Sequence, residues 1–387
     1  MAQVAWFRGA LWDRSKVELA AVAAAPITGV KDRLARGELV RDPTRALYRY
    51  HQQVAIDGRT VTRKMLIAAV RLEPWSEGII RAHEATDAHA RDAAIAGIAA
   101  EAAHTTPVFA GYRDAAGELD RMFRRLEDGR ATVDVTTKDG TRHRLWTVAN
   151  AEIAGKVRTL FAPKKLHVLD GHARYEGMLA YRDQVGANAT MYSSAKFGLA
   201  CLVNVDDPGL IVAARHRIVR GTDVQRDRVL DDAKAYFVVE KLAGAAKDVG
   251  KQRAALADTL AHQPAFVAVF AGDPDAWKLT LSPDVAPTAV GVQIDRALQK
   301  YDPVVVDQLF LSRVIAGAAH ETTLDHAEAL RAVDAGAAAA LIVRPLAIDQ
   351  VLRADELGQL LPFGSTAFVP PLANLVVYVV DPDEDVI

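Results

Sequence analysis

Two predicted β-hairpins limit the folds that this chain can adopt. The first joins residues 46–56, ALYRYHQQVAI, to residues 60–72, TVTRKMLIAAVRL, across Asp57-Gly58. The second joins ATVDVTT to TRHRLWTV across the Lys-Asp-Gly sequence at 138–140. Asp-Gly between two β-rich runs is a strong turn signal, because both residues tolerate the positive φ angles of tight hairpin turns. An antiparallel sheet is therefore expected in the first part of the chain.

Helical segments alternate irregularly with these and further strands. Thr86 or Asp87 can cap a helix that runs to about Ala103. The buried run LHVL is typical of a strand, and ARYEGMLAYRD directly after it is typical of a helix. From about Gly221 onward the pattern changes to helix–strand alternation. The sequence therefore predicts an α/β protein with an α+β mixed sheet.

Charge and cysteine content exclude several classes of protein. The net charge is −2, so the composition gives no general basic surface for nucleic acid. The longest apolar runs are much shorter than the roughly 18 residues of a membrane-spanning helix, and the start of the chain does not resemble a signal peptide. Cys201 is the single cysteine, so no intrachain disulfide is possible. A cytoplasmic location and no membrane partner are expected.

The motif DGHAR, at residues 170–174, places polar residues where a predicted strand becomes a helix. Gly171 permits a tight turn, and Asp170 can cap the helix. The first-turn N–H groups of a helix attract anions, and His172 and Arg174 would stand beside them as added donors. The motif thus indicates a phosphate site. The alternative is a purely structural corner, in which Asp170 only caps and Arg174 pairs with a surface carboxylate.

The motif RAHEATD, at residues 81–87, lies at a second strand-to-helix junction. Glu84 could act as a general base if it is partly buried near the anion site. The alternative is a glutamate in the first turn of a helix, stabilised by the helix dipole.

A third group of polar residues, ARHRIV, lies within an apolar strand. Side chains alternate across a strand, so Arg215 and Arg217 share one face and His216 lies on the other. Either His216 or the arginine pair could face a site. The alternative is an edge strand whose arginines are solvated.

Familiar cofactor motifs do not account for these residues. His83 and His89 are six positions apart, as are His320 and His326, whereas the zinc-protease pattern needs histidines four apart on one helix face. The sequence contains neither a Walker A loop nor Gly-x-Gly-x-x-Gly. A nucleotide would have to be held in another way.

The order of the motifs resembles that of a known family. It runs from the first hairpin through HEAT, TPVFAGYRD, TRHRLW, DGHARYEGMLAYRD and VNVDDPGLIVAARHRIV to RPLAIDQVLRADELGQLLPFGSTAFVPPLANLVVY. This arrangement, from Trp6 to Tyr378, resembles the domain-of-unknown-function 1015 family. The family's Asp-Gly-His-His-Arg box and upstream His-Glu pair resemble those of ParB/sulfiredoxin-type proteins.

The resemblance implies a fold and an activity. Residues 63–220 would form a ParB/sulfiredoxin-like core, residues 1–62 an N-terminal segment with the hairpin packed on it, and residues 221–387 a C-terminal α/β lobe. The characterised relatives of the family are free serine kinases, which use ADP or ATP. The resemblance therefore implies a nucleotide-dependent phosphotransferase for a small hydroxyl compound, such as a hydroxy amino acid, with ADP or ATP and Mg²⁺ as cofactors.

The resemblance also assigns roles to individual residues. Glu84, with His83, is the catalytic candidate and would act on the substrate hydroxyl. Asp170 is the candidate metal ligand. The candidate nucleotide-binding residues are Asp170, Gly171, His172, Arg174, Arg215, His216 and Arg217.

Departures from the family pattern support a second hypothesis. Ala173 stands where the family has a second histidine, and Gly364 and Pro371 stand where its C-terminal signature has lysines. The alternative is therefore a catalytically divergent ligand-binding or regulatory protein on the same fold. Sulfiredoxin activity is not expected, because Cys201 lies outside the box. DNA binding is not expected either, because the chain is mildly acidic.

Overall fold

The computed structural model describes residues 1–22, 27–56, 59–221, 224–286, 291 and 295–386. The chain divides into two compact units. The first unit contains Met1–Ala82, Thr86–Ile211 and Val369–Ile387. The second contains His83–Ala85 and Val212–Phe368. The predicted boundaries after residues 62 and 220 stay predictions.

The first unit holds most of the strands. They are β1 (Val4–Ala5), β2 (Ala10–Trp12), β3 (Leu39–Arg41), β4 (Leu47–Ile56), β5 (Arg59–Arg71), β6 (Ile80–Ala82), β7 (Ala103–His104), β8 (Val108–Tyr112), β9 (Val133–Thr136), β10 (Arg142–Val148), β11 (Leu166–Asp170) and β12 (Phe197–Asn204). Its helices are α1 (Leu19–Val22), α2 (Val30–Ala35), α3 (Ala88–Glu101), α4 (Glu118–Glu127), α5 (Ala151–Phe161) and α6 (His172–Val185).

The second unit continues the chain with a further set of elements. Its strands are β13 (Val212–Ala213), β14 (His216–Arg220), β15 (Phe237–Leu242), β16 (Ala265–Phe270), β17 (Ala276–Leu281), β18 (Ala319–Thr323), β19 (Ala339–Val343) and β20 (Ala367–Phe368). Its helices are α7 (Arg226–Ala233), α8 (Val249–Ala257), α9 (Asp302–Val305), a π-helix (Val306–Val314), α10 (His326–Asp334) and α11 (Ile348–Glu356). Strand β21 (Tyr378–Val379) returns to the first unit and pairs with β7.

A large mixed sheet forms the centre of the first unit. Its strand order is β6-β11-β8-β12-β5-β4-β10-β9, and β1 pairs with β5. Strand β11 is parallel to β6, and β12 is parallel to β8, whereas the other pairs are antiparallel. Residues 197–203 of β12 are all buried, as expected for a central strand that is covered on both faces. The predicted mixed sheet is confirmed.

Both predicted hairpins are confirmed. Strands β4 and β5 pair up to Ile56 and Arg59, and β9 and β10 pair from Thr136 and Arg142. The predicted Asp57-Gly58 turn lies outside the described residues. In the second turn Gly140 has a φ of 81°, the left-handed conformation that glycine adopts without strain.

An antiparallel sheet with apolar residues on both faces organises the second unit. Its order is β15-β17-β16-β19-β14-β18. Along β16, Phe266, Ala268 and Phe270 belong to one buried cluster, and the alternate residues from Ala265 onward belong to another. The short strands β13 and β20 form a separate pair.

The predicted strand around Arg215 is interrupted. Strand β13 ends at Ala213 and β14 begins at His216, so Arg215 lies between two strands of different sheets. Strand β14 lies between β19 and β18, so the solvated edge strand that was considered as an alternative is wrong. No helix within the described residues is long and apolar enough to cross a membrane.

Candidate functional site

The corner between β11 and α6 depends on a glycine. Gly171 is the residue before the helix and has a φ of 93°. The Cβ of any other residue here would lie 2.7 Å from Arg174 Nη2 and 2.9 Å from its Nε. Gly171 therefore permits both the left-handed turn and the close approach of the Arg174 guanidinium to the backbone.

The predicted capping role of Asp170 is wrong. Gly171 occupies the N-cap position of α6 and has no side-chain acceptor to offer to the first-turn N–H groups. Arg174 Nη2 instead donates to Asp170 Oδ2 at 2.6 Å. The two side chains are 32% and 43% exposed, and ion pairs this exposed contribute little stability. The pair can therefore separate at low cost when an anion or a cation binds.

His172 is a neutral neighbour of this corner. Its side chain hydrogen-bonds to the backbone of Val168. Burial and the adjacent Arg174 charge lower the pKa of His172 to about 4. The ring therefore adds no positive charge at neutral pH.

We expect Gly171→Ala to lower the free energy of unfolding by about 1–2 kcal/mol, because alanine at a positive φ is strained and its Cβ would displace Arg174. Urea denaturation followed by circular dichroism measures the change. Gly140→Ala, at a surface turn with a similar φ and open space around it, is the matched control for backbone strain alone. A Gly171→Ala loss no larger than that of Gly140→Ala would contradict the predicted steric contribution of Arg174.

A cavity of about 310 Å³ lies beside this corner, within the first unit. It is lined mainly by α3, α6 and residues 103–106, and Arg174 is part of its wall. The close approach of Gly177 on α6 to the backbone of Ala94 brings the two helices together. Cavities of roughly 300–1,000 Å³ typically hold small-molecule ligands.

Two side chains of the cavity wall have nitrogen atoms that find no partner in the described part of the chain, namely His104 Nε2 and Arg174 Nε. His104 Nδ1 accepts a hydrogen bond from Leu199 N–H at 3.2 Å, so the ring proton resides on Nε2. Burial lowers the pKa of His104 to about 3, which keeps the ring neutral. Glu101 accepts from the N–H groups of Gly29 and Val30. Both unpartnered nitrogen atoms are themselves buried, whereas the Arg174 side chain as a whole is 32% exposed.

Glu84 lies in the second unit, where a loop surrounds its carboxylate. Oε1 accepts from Gly364 N–H at 2.8 Å, and Oε2 accepts from Thr366 N–H and Oγ1–H, each at 3.1 Å. The chain on either side of Glu84 also pairs with Leu361. Glu84 is therefore not a first-turn helix residue, and the alternative that was based on the helix dipole is wrong.

Opposing effects set the pKa of Glu84. Burial, with 7% of the residue exposed, raises the pKa above its ordinary value. The donors of Gly364 and Thr366 and the positive charge of Arg215 partly offset this rise. A carboxylate with a raised pKa accepts a proton more readily than an exposed glutamate does.

His83 contacts the same hydroxyl group as Glu84. Its Nε2 lies 2.8 Å from Thr366 Oγ1 and 4.0 Å from Glu84 Oε2. Because the hydroxyl donates to Glu84, it accepts from His83 Nε2–H. The structure thus brings together His83, Thr366 and Glu84 within the second unit.

The three residues around β14 have different surroundings. Arg217 is 1% exposed and forms a bidentate pair with Asp307, at 2.9 Å and 2.6 Å. His216 is buried against His326, and its Nδ1 accepts from Val343 N–H. Arg215 donates to the Thr366 carbonyl at 3.3 Å. Arg217 Nη2 also donates to the Gly364 carbonyl at 3.2 Å, so both arginines contact the loop that holds Glu84.

Within the described residues, no group of three or more His, Cys, Asp or Glu side chains could hold a metal ion. Asp170 does not belong to such a group, and its assignment as a metal ligand stays a prediction.

Sequence reasoning missed the partners of these side chains. No local signal connects Asp307 to Arg217 or Thr366 to Glu84, since 90 and 282 residues separate the members of each pair. The sequence contains one weak signal for the cavity, namely the run of small residues along α3.

A family model described as "Protein of unknown function (DUF1015)" matches residues 18–304. The chain belongs to this family. The predicted family resemblance is confirmed, and the further relation to ParB/sulfiredoxin-type proteins stays a prediction. No curated protein matches the chain.

Solved structures give distant matches. A conserved hypothetical protein from Pyrococcus furiosus has 12% identity and a TM-score of 0.39, with 78% of this chain and 92% of that chain covered. A free serine kinase in complex with AMP has 12% identity and a TM-score of 0.40, with 76% and 86% covered. SbnI from Staphylococcus aureus, with a C-terminal truncation, has 12% identity and a TM-score of 0.40, with 83% and 91% covered.

Proposed function

We propose that this protein is a nucleotide-dependent phosphotransferase that acts on a small hydroxyl compound, such as a hydroxy amino acid. The observation that carries the proposal is the uncapped start of α6 beside a cavity, with Arg174 belonging to both. The first-turn N–H groups and Arg174 would hold the phosphates of ADP or ATP, and the cavity would hold the nucleoside.

Asp170 is suited to a magnesium ion that is bound mainly by phosphates. Mg²⁺ in nucleotide sites is usually held by one or two carboxylates together with phosphate oxygens and waters, so a single aspartate fits. The carboxylate is partly exposed and its present partner, Arg174, is itself a phosphate ligand in the proposal. The ion would neutralise charge on the transferred phosphate.

Glu84 would accept the proton of the substrate hydroxyl. Within the described part of the chain, its Oε1 accepts one hydrogen bond, from Gly364, which leaves a lone pair for the hydroxyl proton. The hydroxyl oxygen would form a bond to the terminal phosphorus, the bond from phosphorus to the bridging oxygen would break, and AMP or ADP would leave. The raised pKa of Glu84 favours this role.

A second candidate function is ligand binding or regulation without turnover. The observation that favours it is the engagement of both Glu84 oxygens with Gly364 and Thr366, because a carboxylate with this many partners also serves as an anchor for a loop. The replacement of the family's second histidine by Ala173 points the same way.

Arg174→Ala is expected to weaken nucleotide binding about 10- to 100-fold, because a charge-assisted hydrogen bond contributes about 1.5–3 kcal/mol. Isothermal titration calorimetry with ADP, ATP and CTP, each with Mg²⁺, measures the change. Arg142→Ala is the matched control, since Arg142 also forms an exposed pair with an aspartate, Asp134, at 2.7 Å. Equal affinities for the two variants, or no nucleotide binding by the unmodified protein, would overturn the assignment of this site.

A further inference from the structure

The loop that surrounds Glu84 is held from both sides. Gly364 and Thr366 direct their N–H groups to the Glu84 carboxylate, as described above. Their carbonyl groups accept from arginines, because Arg217 Nη2 donates to Gly364 O at 3.2 Å and Arg215 Nε donates to Thr366 O at 3.3 Å. Each of the two loop residues is therefore fixed through its N–H and its C=O.

Arg217 is the better anchored of the two arginines. Its Nε and Nη2 bind the two oxygens of Asp307, and its Nη1 donates to the Arg215 carbonyl. A planar guanidinium that is bound along one edge has little freedom left, so its remaining donor has a fixed direction. Arg215 is more exposed, and its second contact is a 3.3 Å hydrogen bond to the Thr322 hydroxyl.

The loop needs such an anchor because its backbone is not part of a regular element. Gly364 has a φ of 81°, and strand β20 begins only at Ala367. A carboxylate whose donors move by about 1 Å loses its orientation, and misplacement of that size in a catalytic site can cost about 10²-fold in rate. Among the described residues, the titratable side chain of His83 lies 4.0 Å from Glu84, and the charge of Arg215 acts on its carboxylate.

We propose that Arg217, held by Asp307, is a positioning residue for Glu84: it fixes the loop whose N–H groups orient the carboxylate. This inference rests on the proposed function in one respect, namely that Glu84 is the base. Arg217 would contact neither nucleotide nor substrate, in contrast to its predicted role in cofactor binding.

The test compares Arg217→Met with Arg344→Met in the full-length protein. Arg344 forms a similar bidentate pair in the same unit, with Asp302 at 2.7 Å and 2.8 Å, and its other hydrogen bonds go to carbonyls of residues 259–263. Nuclear magnetic resonance of ¹³C-labelled glutamate follows the titration of Glu84, assigned by its absence in Glu84→Gln. Hydrogen exchange follows the amides of Gly364 and Thr366.

We expect Arg217→Met to raise the pKa of Glu84 by about one unit, because the carboxylate loses well-oriented donors. The two loop amides should exchange at least about tenfold faster, because their hydrogen bonds open more often. Arg344→Met should change neither quantity. If Arg217→Met does not fold, Arg217→Lys is measured against Arg344→Lys. Lysine keeps the positive charge but lacks the planar guanidinium that binds both oxygens of an aspartate. The proposal would be overturned if Arg217→Met and Arg344→Met, or the two lysine variants, changed the pKa of Glu84 and the amide exchange equally.

Turnover distinguishes this inference from the proposed function. With an active protein, Arg217→Met should lower kcat on the order of 10²-fold with KM nearly unchanged, because the substrate contacts stay. If the unmodified protein binds nucleotide but transfers no phosphate, the proposed function fails. The titration and exchange experiments still decide whether Arg217 positions Glu84.

Discussion

Glu84→Gln is expected to lower the rate of phosphate transfer by about 10²- to 10⁴-fold, the usual contribution of a general base. Glutamine cannot accept the hydroxyl proton, and its amide N–H₂ would face Gly364 N–H or the donors of Thr366. A coupled assay of nucleotide turnover over a panel of hydroxy amino acids, with Mg²⁺, measures the effect. In the unmodified protein, the rate should fall as the pH is lowered and Glu84 becomes protonated. Because the pKa of Glu84 is raised, this fall should occur at higher pH than with an exposed glutamate as the base.

The control for this prediction is Glu321→Gln. Glu321 lies in the same unit, is about half exposed, and pairs with Arg220 at the surface, so its loss should leave turnover unchanged. Turnover by Glu84→Gln at the rate of the unmodified protein would exclude Glu84 as the base. Nucleotide binding without turnover in the unmodified protein would instead favour the second candidate, a protein that binds its ligand without converting it.

Arg49→Met is expected to lower the free energy of unfolding by about 3–5 kcal/mol, the typical cost of removing one partner from a buried ion pair. The Arg49 side chain has no exposed surface, and it bonds to Glu127 at 2.7 Å and Asp120 at 2.5 Å. Methionine would fill much of the volume but would leave Glu127 without its closest cation. Urea denaturation measures the loss, and the exposed Arg142→Met serves as the control, with an expected change below about 1 kcal/mol.

The pH dependence of stability provides a second readout of the same pair. Burial raises the pKa of Glu127, but His51 Nε2, 3.1 Å from Oε1, and the charge of Arg49 outweigh it and lower the pKa to about 2. A carboxyl group with a lowered pKa stabilises the folded protein above its unfolded pKa of about 4.3, and this contribution is lost as the pH falls towards 2. Arg49→Met should therefore flatten the decline in stability between about pH 4.3 and pH 2. If stability declined equally steeply in Arg49→Met and in the unmodified protein, Arg49 would not be the group that lowers the pKa of Glu127.

Elements that depend on residues close together in the chain were predictable from the sequence. The hairpins follow from turn residues between β-rich runs, and α3 begins where predicted, with Asp87 as its cap. The corner at Gly171 was predicted because its strand, turn and helix signals are contiguous. The prediction that Asp170 caps α6 failed, because Arg174, one turn into the helix, competes for the same carboxylate.

The partners of charged side chains were not predictable in the same way. The cofactor-binding role of Arg217 stays a prediction, whereas its partners Asp307 and Gly364, in the interior of the second unit, were not foreseen. Periodicity gives the face on which an arginine lies, but it does not give the element that covers this face. The same limit applies to Arg49, whose carboxylate partners come from α4.

The sequence by itself determined the hairpins, the start of α3, the family and the position of the polar corner at 170–174, because each depends on neighbouring residues or on the order of motifs. Only the tertiary structure decided which groups surround Glu84, Arg174 and Arg217. The contacts of Glu84 and Arg217 join residues that are far apart in the chain, up to 282 positions for Glu84 and Thr366. They form because a buried polar group without a partner is costly, and the packing of whole elements determines which partner is within reach.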